Sequence, residues 1–311
     1  MTRYSPQIFT LSLAGIFLAL ASQACLAGEG APTAVELANA TYTGTEEGTI
    51  TLVDGRWEGE PYAEGGASRP SVGLVEDFSL AGDLDGDGHD EAVVTIWQSS
   101  GGSGTFNYVA VVGRKNGEIT NLATAALGDR VQVRSGRIDG ATVIFDVVQQ
   151  GEGDAACCPT QLATRTWTLA GDQLTEGDAI ITGKLSLATL AGTEWVMTHF
   201  NRNEPIQEGA EVTLAFADGK ISGKSACNRY SAGVEQGEAP GDLKIGLAMG
   251  TRMACPGELM DLESKYLDAL SRVTGFSFLA SKLVLNWEKD GNWSAMIFAP
   301  IQIQQAPSTQ E

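Results

Sequence analysis

The sequence predicts a mainly β protein, a β-rich α+β chain folded as two antiparallel β domains, the second with one packed helix. Three observations carry this. Apolar and polar residues alternate in short runs that break at Asp-Gly and Asn-Gly pairs, which favour the positive φ angles of tight hairpin turns. The pattern restarts near Ser186. One stretch alone, after Pro256, has helical instead of strand periodicity.

The elements follow in chain order. Arg3 precedes an apolar run from Ile8 to Ala21, and the small residues Ser22, Ala24 and Ala27 come next. The run is short for a membrane span and suits a secretory signal over residues 1–27. Two cleavage points fit. Cutting after Ala24 leaves Cys25 first, as in a lipid-anchored bacterial protein, although Gln23 and the missing upstream Leu suit that poorly. Cutting after Ala27 removes Cys25 and leaves an even set of cysteines, as an oxidising compartment favours. Glu29 to Pro32 reads as a linker.

The first domain is expected over residues 33–183. Ile50, Leu52 and Trp57 flank Asp54-Gly55. Val109, Val111, Ile119 and Leu122 flank Asn116-Gly117, and Ile138, Val143 and Phe145 flank Asp139-Gly140. Trp167 and Leu169 lead to Gly171-Asp172 and Leu174. No helical period appears in this half. The boundary falls between Thr182 and Leu190, and the second domain runs over residues 187–301. There Val212, Leu214 and Phe216 alternate into Asp218-Gly219, and Leu243, Ile245 and Leu247 form another period-2 run. Leu259, Leu262, Tyr266, Leu270 and Val273 mark one helix face, with Pro256 near its start and Gly275 past its end. Phe276, Phe278, Leu283, Leu285 and Trp287 resume the strands and turn at Asp290-Gly291 into Trp293, Ala295 and Ile297. Residues 302–311 form a flexible tail.

The chain carries 39 acidic and 20 basic residues, a net charge of -19. That charge repels phosphate backbones and excludes nucleic acid as a partner. It also excludes docking on an anionic membrane through a basic face, so membrane contact is expected only through a lipid anchor on Cys25. It suits a solubilising surface or a binder of cations.

The sharpest local motif is Asp83-Leu-Asp85-Gly-Asp87-Gly-His89-Asp-Glu91. Carboxylates at positions 1, 3 and 5 of a tight loop converge, Gly88 permits the bend, and position 7 (His89) offers its carbonyl. Glu91 at position 9 closes the set. Hard oxygen donors of this kind suit Ca²⁺. Position 12 is Val94, not the Glu of an EF-hand, and the flanks read as strands. The alternative is an acidic β-turn that binds no metal. Cys227 and Cys255 bracket a β run and are expected to form a structural disulfide, the alternative being two small buried thiols. The adjacent Cys157 and Cys158 suit a vicinal disulfide, a metal or free thiols.

Catalytic arrangements are lacking. The two histidines are His89 in the acidic loop and His199 in a polar turn. The loop from Gly101 to Thr105 lacks the second Gly of a nucleophile elbow and the Lys of a phosphate loop. Trp195, Trp287 and Trp293 read as core. No catalytic or cofactor-binding residue is assigned.

The second half resembles the META (HslJ-like) domain family. The stretches that carry this are LAGTEWVM (Leu190 to Met197), DGKISGKSACNRYSAG (Asp218 to Gly233) and GTRMACPGELMDLESKYLDAL (Gly250 to Leu270). The resemblance implies a small β-rich domain with one packed helix, an association with envelope stress, and no shared catalytic mechanism. The first half resembles a domain of uncharacterised bacterial lipoproteins through NATY (Asn39 to Tyr42), GDLDGDGHDEAVV (Gly82 to Val94), GGSGTF (Gly101 to Phe106), ALGDRVQV (Ala126 to Val133) and CCPT (Cys157 to Thr160). Together these imply an exported, non-enzymatic envelope protein, periplasmic or outer-membrane-associated, with a stress-tolerance or structural role. One alternative is a binding or inhibitory module for an envelope protein or cell-wall component. The other is a hydrolase or redox enzyme with an unrecognised site.

Overall fold

A computed structural model describes residues 30–102, 104–201 and 203–301. The predicted signal segment, Cys25 and the tail 302–311 lie outside the described residues. Strands dominate, with two α-helices, Ala34–Leu37 and Gly257–Leu270, among the described residues. The chain is mainly β.

The first half holds two five-stranded antiparallel sheets. One is a meander of Arg56–Glu58, Ser71–Gly82, Glu91–Ser99, Phe106–Lys115 and Glu118–Asp129. The other contains Gln132–Asp139, Thr142–Gln149 and Gln161–Ala170, with Gln173–Glu176 and Ile180–Lys184 both pairing the last of these. Val93, Val109, Val111, Phe145 and Trp167 fill the core between them. On the far face of the meander, Val94, Ile96, Ala110 and Val112 pack under Tyr42, Ile50 and Leu52. The strand Glu91–Ser99 is thus buried on both sides. This is why it reads as the continuous apolar run AVVTIW, since only a half-exposed strand needs strict alternation. Turns follow the dipeptides: Asn116 and Gly117 adopt φ 55° and 80°, as a two-residue hairpin turn requires.

The second half is one ten-stranded antiparallel sheet that curls nearly into a barrel. Its ends approach where Asp242 bridges Gly275 and the Phe276 N–H donates to the Gly241 carbonyl at 2.8 Å. The helix Gly257–Leu270 covers this sheet with Tyr266, Ala269 and Leu270 buried.

Several details differ from the sequence reading. The helix ends at Leu270, because Val273 already pairs with Trp287 in the next strand. Gly275 is therefore no helix stop. It sits in a strand where a Cβ would lie 2.9 Å from the Gly241 carbonyl oxygen, so close backbone approach requires glycine there. Leu247 falls beyond the strand Leu243–Ile245 and is 88% exposed. Trp195 is core, but Trp293 is 67% exposed near the Asp290-Gly291 turn. His199 lies in the strand Glu194–Phe200 and not in a turn. The single turn Ala34–Leu37 is too short to show a period. Its signal was the Thr33-x-x-Glu36 capping box, in which each side chain meets the other's backbone N–H.

The halves interlock through the hairpin tip at Leu279–Lys282. Ala280 enters the first half's core. Ser281 N–H donates to the Val133 carbonyl at 2.9 Å, Phe278 N–H to Gln132 Oε1 at 2.7 Å, and Lys282 Nζ to Asp77 at 2.8 Å. In return Val148 joins the second half's core.

Candidate functional site

The acidic loop joins two neighbouring strands, closing above the Gly82–Glu91 pair. Leu84 is fully buried in the inter-sheet core and anchors the loop from inside. Asp83 folds the loop on itself, accepting the Gly86 N–H at 2.7 Å and the Gly88 N–H at 3.1 Å. Asp85 accepts the Asp87 N–H at 3.1 Å, and Asp87 the His89 N–H at 2.8 Å. Gly86 and Gly88 take φ of 79° and 88°, which L side chains rarely adopt. Glu91 reaches back from its strand to accept the buried Leu84 N–H at 2.8 Å.

Ligand atoms of Asp83, Asp85 and Glu91 all lie within 4.8 Å of one another. The Asp87 carboxylate, also predicted as a metal ligand, is not in that group of side-chain atoms, and the ligand predicted at His89 is its backbone carbonyl, which is not one of them. Burial pushes the Glu91 carboxyl up, the Leu84 N–H opposes this, and the charges of Asp85 and Asp87 push it further up. A donor set of three carboxylates on an irregular loop fits a hard divalent cation.

A second polar cluster holds the other half together. Glu263 on the helix accepts the Ser225 hydroxyl at 2.7 Å, the Asn228 N–H at 2.8 Å and the Asn228 amide at 3.0 Å. Asn228 Oδ1 in turn accepts the Thr251 hydroxyl at 2.7 Å and the Met253 N–H at 2.8 Å. Burial alone would raise the Glu263 carboxyl, but these donors outweigh it and hold it low. The sulfurs of Cys227 and Cys255 lie at disulfide distance beside this cluster, with Cα atoms 6.0 Å apart. Nearby the Tyr230 and Tyr266 hydroxyls meet at 2.5 Å in the core. The sequence reading caught the cysteines but not Glu263, whose partners come from segments distant in the chain.

The sulfurs of Cys157 and Cys158 are likewise at disulfide distance, in an exposed turn. Asp154 secures that turn by accepting the Thr160 hydroxyl and N–H and the Gly151 N–H.

A cleft of about 600 Å³ opens between the two halves. Its floor carries Trp97, Arg56 and Asn107, and its other wall carries His199, Phe278 and Lys282. The sequence reading missed Trp97. Its signal was a polar turn in an apolar strand: Thr95, Trp97 and Ser99 share one face.

These stretches match known proteins as follows. Residues 188–296 match the META domain family model. The chain carries a META domain. The matched residues include Glu263, Asn228 and the Cys227–Cys255 pair. An NMR structure of a protein from Burkholderia xenovorans is similar at 25% identity, covering 40% of this chain and 95% of that one, with a TM-score of 0.31. No curated protein matches the sequence.

Proposed function

We propose that the protein is an exported, non-enzymatic envelope protein with a structural or stress-tolerance role, its first domain ordered by a bound calcium ion. The observation that carries this is the use made of its polar motif residues. Asp83, Asp85 and Glu91 fold a loop and converge upon one point. Ser225, Asn228, Thr251 and Glu263 bind one another. In both places side chains hold backbone in position. The apolar run from Ile8 to Ala21 and the cysteine pairs at disulfide distance support export.

In this reading Asp83, Asp85 and Glu91 hold the ion, which neutralises their mutual repulsion. Thermal unfolding of the full chain in chelator, millimolar Ca²⁺ and millimolar Mg²⁺ tests it. Calcium at a hundredfold excess over Kd should add about 2.7 kcal/mol. Magnesium should add less, because it demands a smaller octahedral cage. Asp85→Ala should remove the difference. Three coincident curves would leave only an acidic turn. Intact-mass analysis of cell fractions tests export. Envelope protein should begin at Cys25 with lipid or at Gly28 without it, and a cytosolic chain beginning at Met1 would refute this.

A second reading, a binding module for a cell-wall or protein partner, is favoured by the cleft between the domains.

A further inference from the structure

We infer that the cleft between the two domains binds a neutral carbohydrate, with the Trp97 ring as its stacking platform. The inference rests on the binding-module reading.

The cleft is the continuation of a core. Val93, Thr95, Trp97 and Ser99 point to one face of their strand. Val93 is fully buried between the two sheets of the first domain. Further along the same strand that face carries Thr95, Trp97 and Ser99, which line the open space together with Asn107, directly across from Trp97. Packing alone would have continued the apolar face.

Trp97 is seated deliberately. The residue paired with it on the next strand is Gly73, and a Cβ there would lie 2.5 Å from the Trp97 ring. Glycine alone lets the ring settle against the sheet. Beyond Gly73 comes Arg56, whose guanidinium carbon lies over the Trp97 ring, 5.7 Å from its centroid, so that a ligand would share the ring with this guanidinium. The row Arg56, Gly73, Trp97 and Asn107 therefore sets an aromatic ring among hydrogen-bonding groups. From the META domain, Phe278 and His199 face it across the gap.

Charge excludes an anionic ligand. Each cation along the cleft already has a carboxylate: Arg56 pairs with Glu58 at 2.9 Å, Lys282 with Asp77 at 2.8 Å, and Arg130 with Asp129. An anionic ligand would have to displace these partners against a chain of net charge -19. A neutral ligand with many hydroxyls and one apolar face meets no such opposition. It would stack on Trp97 and share hydrogen bonds with the polar rim, which is the chemistry of a sugar ring. The volume of about 600 Å³ lies within the range of ~300–1,000 Å³ usual for small-molecule sites.

The test is calorimetric titration of the full chain, in calcium, with cellotetraose, maltotetraose and N-acetylchitotetraose, and with trigalacturonate as the anionic control. Saturable binding of at least one neutral oligosaccharide is expected, weakened about tenfold or more by Trp97→Ala. Ser99→Trp, which fills the cleft from its rim, should also block binding and serves if Trp97→Ala does not fold. Binding of trigalacturonate alone, binding that survives Ser99→Trp, or no binding of any neutral oligosaccharide would overturn the inference. Maleimide labelling of Ser99→Cys separates that failure from failure of the binding-module reading. Labelling slowed by envelope extract keeps the cleft as a binding site for another ligand class, and unslowed labelling removes both.

Discussion

Two glutamates, Glu91 buried in the first domain and Glu263 half-buried in the META domain, are treated in opposite ways by their surroundings. Glu263 in the META domain collects a hydroxyl, a backbone N–H and a side-chain amide, and its carboxyl is held low. Glu91 in the first domain accepts the Leu84 N–H, faces Asp83 and Asp85, and its carboxyl is pushed up. The same functional group is satisfied by neutral hydrogen-bond donors in one domain and crowded by other carboxylates in the other. The difference teaches that the META domain supplies its own clamp from protein donors, whereas the first domain's loop, on the function proposed above, is completed by a cation from solution.

The largest test of this contrast is covalent. Cys227→Ser with Cys255→Ser opens a loop of 28 residues, and the chain-entropy model assigns about 3–4 kcal/mol to a loop of that length. Cys157→Ser with Cys158→Ser closes no comparable loop, since the separation is 1. Denaturant midpoints should fall sharply for the first pair and little for the second. Equal losses would break the picture of a clamped META domain.

Exchanging each glutamate for its neutral isostere should give effects that differ in sign. Glu263→Gln loses a charge-assisted acceptor from a satisfied cluster and should cost about 1–3 kcal/mol. Glu91→Gln, measured in chelator, should cost nothing or stabilise, because it removes a carboxylate beside Asp83 and Asp85. In calcium the same variant should lose the calcium increment. A cost for Glu91→Gln in chelator equal to that for Glu263→Gln would mean that the two sites do not differ.

The smallest effect is in pH. Glu91 is raised above its ordinary 4.5, so folding favours its protonated form. In chelator its contribution is full below 4.5 and is lost as pH rises through the raised value. Calcium needs the ionised form, so the melting difference between calcium and chelator should shrink as pH falls through that value. Glu263 is lowered from 4.5, so its contribution stands above 4.5 and is lost only as pH falls through the lowered value. Melting curves of the wild type and both isosteric variants across mildly acidic pH would separate the two slopes.

How much of this was legible in the sequence follows the range of the interactions. Hairpins turned by Asn116-Gly117 or Asp218-Gly219 are local, and the dipeptides announce them. The acidic loop is nearly as local, and Glu91 was recognised at its ninth position. The convergent group nevertheless does not include Asp87, whose carboxylate accepts the His89 N–H. The Glu263 cluster joins segments 35 residues apart, and no period or spacing reports such a pairing. The cleft is less legible still, because its floor and its far wall meet only once two sheets have formed. Gly275 misled for the same reason: its role is set by Gly241, brought near by closure of the sheet.

The hairpin tip that carries Ala280 gives the molecule a timetable. Gln132 meets its partner Phe278 only across 146 residues. A chain delivered N-terminus first therefore holds the seat for Ala280 vacant, and the Val133 carbonyl and the Asp77 carboxylate in water, until the end of the META domain arrives. The first domain is finished by the last. Loss of the C-terminal strands, by truncation or proteolysis, would be felt in the half of the protein made earliest, and the two halves are bound to be degraded or preserved together.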